Sequence, residues 1–168
     1  GSTIIDNIAR WDGNQWNALG NNNIYAGPKC MKVFNGDLVA AGYQSSQGTV
    51  PNTKGIARWD GSQWHALGSG ITSGTIHDMA VYNGSLYVGG NTTKIDSMNI
   101  RDIARWDGTQ WDTVCTLSLG LSELRAMEVY NNELYIGGYF YTVNGVPMPN
   151  IAKFDGMSWS TVGGGLNG

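Results

Sequence analysis

The chain has 168 residues, of which 41% are hydrophobic, 11% aromatic and 14% charged, with 25 glycines and a net charge of −3. That mixture is too apolar for a disordered chain, and glycine without periodic proline excludes a collagen-like one. Mild acidity without a Lys/Arg cluster argues against a nucleic-acid partner, and no apolar run approaches the roughly 20 residues that span a bilayer, so no membrane insertion is expected.

In chain order, Ile8-Ala-Arg-Trp-Asp-Gly-Asn-Gln-Trp16 comes first and reads as two short strands about an Asp-Gly turn. Met31-Lys-Val-Phe34 and Asp37-Leu-Val-Ala-Ala-Gly42 flank Asn35-Gly36, a strong two-residue hairpin signal. The opening motif returns as Ile56-Ala-Arg-Trp-Asp-Gly-Ser-Gln-Trp64. His77–Tyr82, Asn83-Gly84 and Ser85–Gly90 repeat the hairpin, and a polar loop over Asn91–Arg101 leads to Ile103–Trp106, Asp107-Gly108 and Gln110–Val114. Met127–Tyr130 and Glu133–Gly138 follow, joined by Asn131-Asn132, before a looser last copy, Ile151-Ala-Lys-Phe-Asp-Gly-Met-Ser-Trp159. The first aromatics of the four copies stand at 11, 59, 106 and 154, giving steps of 48, 47 and 48. Such a period marks an array of supersecondary units. Each unit is predicted as a four-stranded antiparallel meander whose longest connection lies between its second and third strands.

Leu86-Tyr87-Val88 and Ile103-Ala104-Arg105-Trp106 carry apolar residues on both faces, so their sheet must pack between two others. The glycine pair ending the second strand is expected where backbones approach closely near a crowded axis. Four short strands per unit at about 47 residues match a β-propeller blade. The units resemble the kelch-type repeats of galactose-oxidase-like propellers, nearest to those of large exported bacterial proteins. The motifs cover nearly all of the chain. The resemblance implies an all-β β-propeller and a secreted or cell-surface bacterial parent protein, but no particular ligand.

Residues 8–20 supply two strands, whereas 24–68, 76–115 and 124–163 supply four each. The expectation is a single partial propeller domain over 1–168 of about three and a half blades: a half blade over 1–20 and blades over 21–70, 71–120 and 121–168. Propellers usually have four to eight blades. The incomplete ring leaves Ile8–Trp11 with an unpaired edge, which invites another chain. The chain is therefore read as a fragment of a longer ring, as copies that associate to complete one, or as a distorted closed monomer. Self-association is expected, most simply as a two-fold dimer carrying seven blades' worth of strands. Gly1-Ser2 reads as a cloning remnant and carries no information about a leader.

Trp11, Trp16, Trp59, Trp64, Trp106, Trp111, Phe154 and Trp159 all occupy repeat positions, so packing between blades is expected of them before stacking on sugars. The non-repeating Tyr25, Tyr43, Tyr139 and Tyr141 are the candidate ligand contacts, on or near the loops 42–55, 91–102 and 139–150. Asp12, Asp60, Asp107 and Asp155 suit hairpin turns. Arg10, Arg58, Arg105 and Lys153 are expected to pair across blades or shield an outer edge. His65 and His77 are the only histidines, and no catalytic, cofactor-binding or metal-ligating set is assigned. The polar connector from Asp96 to Asn99 lacks EF-hand spacing. Cys30 and Cys115 fall at non-equivalent repeat positions and are read as two inert thiols. No cofactor is expected. The functional expectation is a non-catalytic binding, adhesion or structural module with a protein or glycan ligand. The alternatives are a piece of a glycan-acting enzyme, a multivalent lectin, or an engineered propeller fragment.

Overall fold

Paired asparagine and glycine turns set the hairpins from which the structure is built. In the computed structural model, which describes residues 7–20, 27–43, 53–91, 94–96, 98, 102–117 and 123–166, both central residues of these turns are left-handed. Their φ values are 51° and 88° at Asn35-Gly36, 47° and 71° at Asn83-Gly84, and 49° and 60° at Asn131-Asn132. This is the turn whose twist matches that of its flanking strands. The strands so joined are β3 (Pro28–Phe34) with β4 (Asp37–Gly42), β8 (Ile76–Tyr82) with β9 (Ser85–Gly90), and β13 (Glu123–Tyr130) with β14 (Glu133–Tyr139).

Each hairpin is extended by a second one. Sheet I adds β5 (Ile56–Trp59) and β6 (Trp64–Ala66), sheet II adds β11 (Ile103–Trp106) and β12 (Trp111–Cys115), and sheet III adds β17 (Ile151–Phe154) and β18 (Trp159–Thr161). All three are antiparallel meanders in the order first, second, third, fourth strand, and none closes on itself. A two-stranded leading hairpin, β1 (Ala9–Trp11) and β2 (Trp16–Ala18), precedes them. Its turn is the Asp-Gly kind found in every unit. The Asp12 carboxylate accepts the N–H groups of Asn14 and Gln15 at 2.8 and 2.9 Å, and Asp60, Asp107 and Asp155 do the same two and three residues on. The aspartate acts on its own backbone.

The core consists of layers between successive sheets. Met79, Leu86, Val88, Ala104 and Trp106 of sheet II pack with Phe34, Val39 and Ile56 of sheet I. Ala80, Tyr82, Tyr87 and Ile103, on the opposite face, pack with Leu124, Met127, Leu134 and Ile136 of sheet III. Leu86, Tyr87 and Val88 are consecutive and all buried, yet they alternate between the two layers as the strand period requires. Leu19 and Ile8 of the leading hairpin likewise pack on Trp64 and Trp59. Cys30 and Cys115 carry free thiols.

Two connections differ from the sequence reading. The segment expected to be a polar loop after β9 contains β10 (Lys94–Ile95), which pairs with β7 (Ile71–Ser73) in the preceding connector. Ile71 and Ile95 are fully buried there, because single apolar residues within a polar stretch suffice to anchor it. In sheet III the corresponding loop folds into β15 (Thr142–Val143) and β16 (Val146–Pro147). Asp96 and Asn144 hold equivalent left-handed positions, φ 53° and 51°, and latch the connectors. The N–H of Asp96 donates to Gly70 O at 3.1 Å while its carboxylate accepts the N–H of Ser69. The N–H of Asn144 donates to Thr116 O at 2.8 Å, and its Oδ1 accepts the Thr116 N–H at 3.0 Å.

The glycine pair has a more local cause than crowding at an axis. Each first strand carries a register shift, between Pro28 and Cys30, Ile76 and Asp78, and Leu124 and Ala126. One extra residue there pushes the backbone against the second strand. A Cβ at Gly42 would lie 2.9 Å from Lys29 N, and at Gly90 or Gly138 it would collide with the carbonyl of Thr75 or Glu123. Gly89 serves differently: its Cβ would meet Leu124 and Met127 of the next sheet at 2.7 Å. Gly138→Ala is expected to lower stability by about 1–3 kcal/mol through overpacking, read as a lower urea midpoint with unchanged slope. An unchanged midpoint would contradict the steric assignment.

Candidate functional site

Three features recur with the repeat and bear on function: a column of aromatic pairs, the third-strand cations, and one basic residue in each first strand. The aromatic pairs sit across the third and fourth strands, with ring centroids 5.5 Å apart for Trp11 and Trp16, 5.4 Å for Trp59 and Trp64, 5.2 Å for Trp106 and Trp111, and 5.0 Å for Phe154 and Trp159. Trp64 Nε1 donates to Leu19 O at 3.0 Å and Trp111 Nε1 to Leu67 O at 3.3 Å, so these indoles stitch their sheet to the preceding one. Trp64, Trp106 and Trp111 are buried, and Trp59, Phe154 and Trp159 half-buried. Trp11 and Trp16 are exposed in the single chain, unlike their counterparts. Trp16 is 59% exposed against 5% for Trp64, because no described sheet lies before the leading hairpin. The far end shows the converse. Tyr82, buried to 3%, is repeated by Tyr130, which is 63% exposed where no described sheet follows.

The cations in the third strands pair within their own sheet, not across sheets, which was one of the two placements expected from the sequence. Arg58 pairs with Asp37, Lys153 with Glu133 at 2.9 Å, and Arg105 with Asp112 at 2.7 Å. Sheet II has Ser85 where the others have Asp37 and Glu133, and its acid comes from the fourth strand instead. Arg105, Asp112, Tyr87 and Phe154 line a cleft of about 350 Å³ between sheets II and III.

The third feature was missed by sequence reading. The residues skipped by the three register shifts are Lys29, His77 and Arg125, each 48 positions from the next. Strand β8 packs between β3 and β13, which brings the three to one end of the sheets. His77 Nδ1 lies 3.0 Å from Glu123 Oε1, and Arg125 Nη2 donates to Glu123 Oε2 at 2.6 Å. Burial lowers the proton affinity of His77, and the charges of Lys29 and Arg125 lower it further, against the opposing pull of Glu123. The ends of the second strands face these cations: Lys29 Nζ stands 4.5 Å over the Tyr43 ring and Arg125 Cζ 5.1 Å over Tyr139. The sequence signal was a column of three unlike basic residues at a constant step, invisible to a search for clustered Lys and Arg.

Of the nominated tyrosines, the structure thus gives Tyr43 and Tyr139 cationic neighbours, both rings being exposed. Tyr141 is exposed two residues beyond. Tyr25 lies outside the described residues, as do Ser45, Ser46, Thr92, Thr93, Ser97 and Asn99. The Asp96 carboxylate is engaged by the Ser69 N–H, and among the described residues no group of three or more His, Cys, Asp or Glu side chains could hold a metal ion. His65 Nε2 is 2.6 Å from the Asp60 carboxylate, which this contact and the turn N–H groups hold well below the usual range. Burial, reinforced by Asp78, pushes the Cys30 thiol up to about 12, and burial raises Cys115 too, so neither thiol ionises readily near neutrality.

Compared with protein-family models and with curated proteins, the chain matches none.

Because the folded-state proton affinity of His77 lies below that of the unfolded chain, its contribution to stability is present above about pH 6.5 and is lost as pH falls below that value. His77→Gln is expected to flatten the decline in urea-unfolding free energy between pH 7 and 5; an identical decline in both proteins would refute the assignment.

Proposed function

We propose that the sheets are blades of a kelch-like β-propeller, and that the chain is a non-catalytic binding or adhesion module of an exported bacterial protein that associates with itself through its two end faces. The repeat and its motifs support the propeller reading, and the resemblance alone supports export.

One observation carries the self-association: the contacts made between successive sheets inside the chain are half-made at its two ends. Inside, Tyr82 of sheet II meets Phe154 of sheet III edge-on at 6.3 Å and donates its hydroxyl to Asn132 O at 3.2 Å. At the ends, the equivalents Tyr130 and Trp11 are both exposed. Trp16 stands where Trp64 and Trp111 donate to Leu19 and Leu67, and the next carbonyl in that series at the far end belongs to Val162. A second copy placed head to tail would set Trp16 against Val162 and Trp11 against Tyr130, repeating an interface the fold already uses. Two copies joined twice in this way form a closed two-fold ring, and closure limits growth. Uncovered aromatic faces of this kind are association surfaces.

Light scattering on purified protein is expected to give a mass near twice 18.1 kDa, and a monodisperse 18.1 kDa species at high concentration would overturn the reading. Trp16→Ala is expected to dissociate the complex with little loss of subunit stability, since its ring is open in the single chain. Trp64→Ala, by contrast, removes a buried ring and should cost about 3–5 kcal/mol.

A further inference from the structure

Sheet I is covered on its leading side only in part. The leading hairpin packs Ile8 and Leu19 on Leu38 and Ala40 of the second strand, Ala57 and Trp59 of the third, and Trp64 of the fourth; the first strand takes no part in this layer. Between the complete sheets the first strand is covered as well. Met79 and Met127 are 1% and 3% exposed, whereas Met31 at the same repeat position is 52% exposed. Val33 is also exposed, where Val81 and Val129 pack on the core. Beside this bare strip lies a bare edge. The third strands β5, β11 and β17 each pair on both sides, with a second and a fourth strand. Among the described residues β1 pairs only with β2.

We propose that the notch between the β1 edge and the uncovered face of β3 binds a β-hairpin from another polypeptide, built like the repeat's own first and second strands, with an acidic residue set to pair with Arg10. The inference rests on the reading of the chain as a repeat-built binding module, but not on contact between its end faces.

When a strand adds to a sheet edge, backbone pairing supplies affinity and alternate side chains supply selectivity. The complete sheets give the register. Leu38 stands opposite Trp59 and Val39 opposite Arg58, as Leu134 stands opposite Phe154 and Tyr135 opposite Lys153. The incoming strand therefore sets a leucine against Trp11 and its next residue against Arg10. The acid just before that leucine, Asp37 or Glu133, holds the third-strand cation. Sheet II has no acid there and takes Asp112 from its fourth strand. The leading hairpin has Asn17 at that fourth-strand position, and the exposed Arg10 is drawn only to the Asp12 turn carboxylate. By the rule of the other units, its counterion belongs to the incoming second strand. The residue laid over Met31 must be small, because Gly89 at that place leaves room for Met127. No hairpin of a second copy is free to serve, since all three are built into sheets I to III.

The test is titration of the full chain with a synthetic peptide of residues 123–139, which carries Glu133 ahead of Leu134 and Gly137 at the small position. Binding is read by calorimetry and by a blue shift in the fluorescence of the exposed Trp11. Arg10→Glu should weaken binding about fivefold, the scale of one exposed ion pair, and the peptide carrying Glu133→Lys should recover that loss. Met31→Asp should weaken it about tenfold without lowering the urea midpoint of the free protein, because the side chain is open there. Equal binding of a scrambled peptide would mean an unselective apolar surface and overturns the proposal. So does failure to bind at millimolar concentration, or unchanged binding in both variants. Dissociation of an oligomer by the peptide would mean that a second copy fills the notch, and it too overturns the proposal. Mass measured on the same samples separates the two readings: a monomer that binds sinks only the association of end faces, and an oligomer that ignores the peptide sinks only the notch.

Discussion

Burial of a sheet on both faces is the constraint on which this molecule depends. A strand reading Leu86-Tyr87-Val88 sends alternate side chains to opposite sides, and each side needs an apolar neighbour of its own. Among the described residues sheet II has two such neighbours, and its second strand is buried from Leu86 to Gly90. Among the described residues the leading hairpin and sheet III each have one. Identical residues at identical repeat positions therefore live in different solvents, as Tyr82 and Tyr130 do. The indole N–H bonds add direction, because each runs from the fourth strand of one sheet to the carbonyl ending the fourth strand of the sheet before it. Stacking in register is thereby specified, not merely tolerated.

Local chemistry decides where each strand ends and how the sheet closes on its turns. The Asn-Gly and Asn-Asn pairs accept the left-handed conformation that the hairpins require, and the aspartates at the second turns satisfy two N–H groups each. The bulges are the less obvious device. By adding one residue to each first strand they force glycine onto the facing strand, and by the same displacement they carry Lys29, His77 and Arg125 to one end. The glycines and the placement of these residues are two results of a single backbone irregularity. A steric feature of the fold thus positions three basic side chains.

Electrostatic pairing shows how the units tolerate change. Each third-strand cation of the three full sheets finds an acid in its own sheet, but sheet II takes it from Asp112 instead of from the start of the second strand. Such partly exposed pairs contribute little to stability individually. Their constancy has a simpler cause: a charge on a sheet rim bordered by apolar layers is best kept beside its counterion. The histidines differ from each other in the same terms, since His65 serves a turn aspartate whereas His77 sits among charges from two neighbouring strands.

The all-β class, the hairpin turns and most strand positions were legible in the chain, because turn residues and strand alternation act over two to four neighbours and recur every 48 or 47 positions. So was the double-sided burial of Leu86 to Val88. The partners of the third-strand cations, the β7–β10 pairing and the exposure of Trp11 and Trp16 were not, for they depend on which sheet stands beside which. The three bulge residues illustrate the division best. They were present at a regular interval, but only the register shifts aim them together, and a shift of one residue in strand pairing is a property of two chain segments in contact that neither segment carries alone.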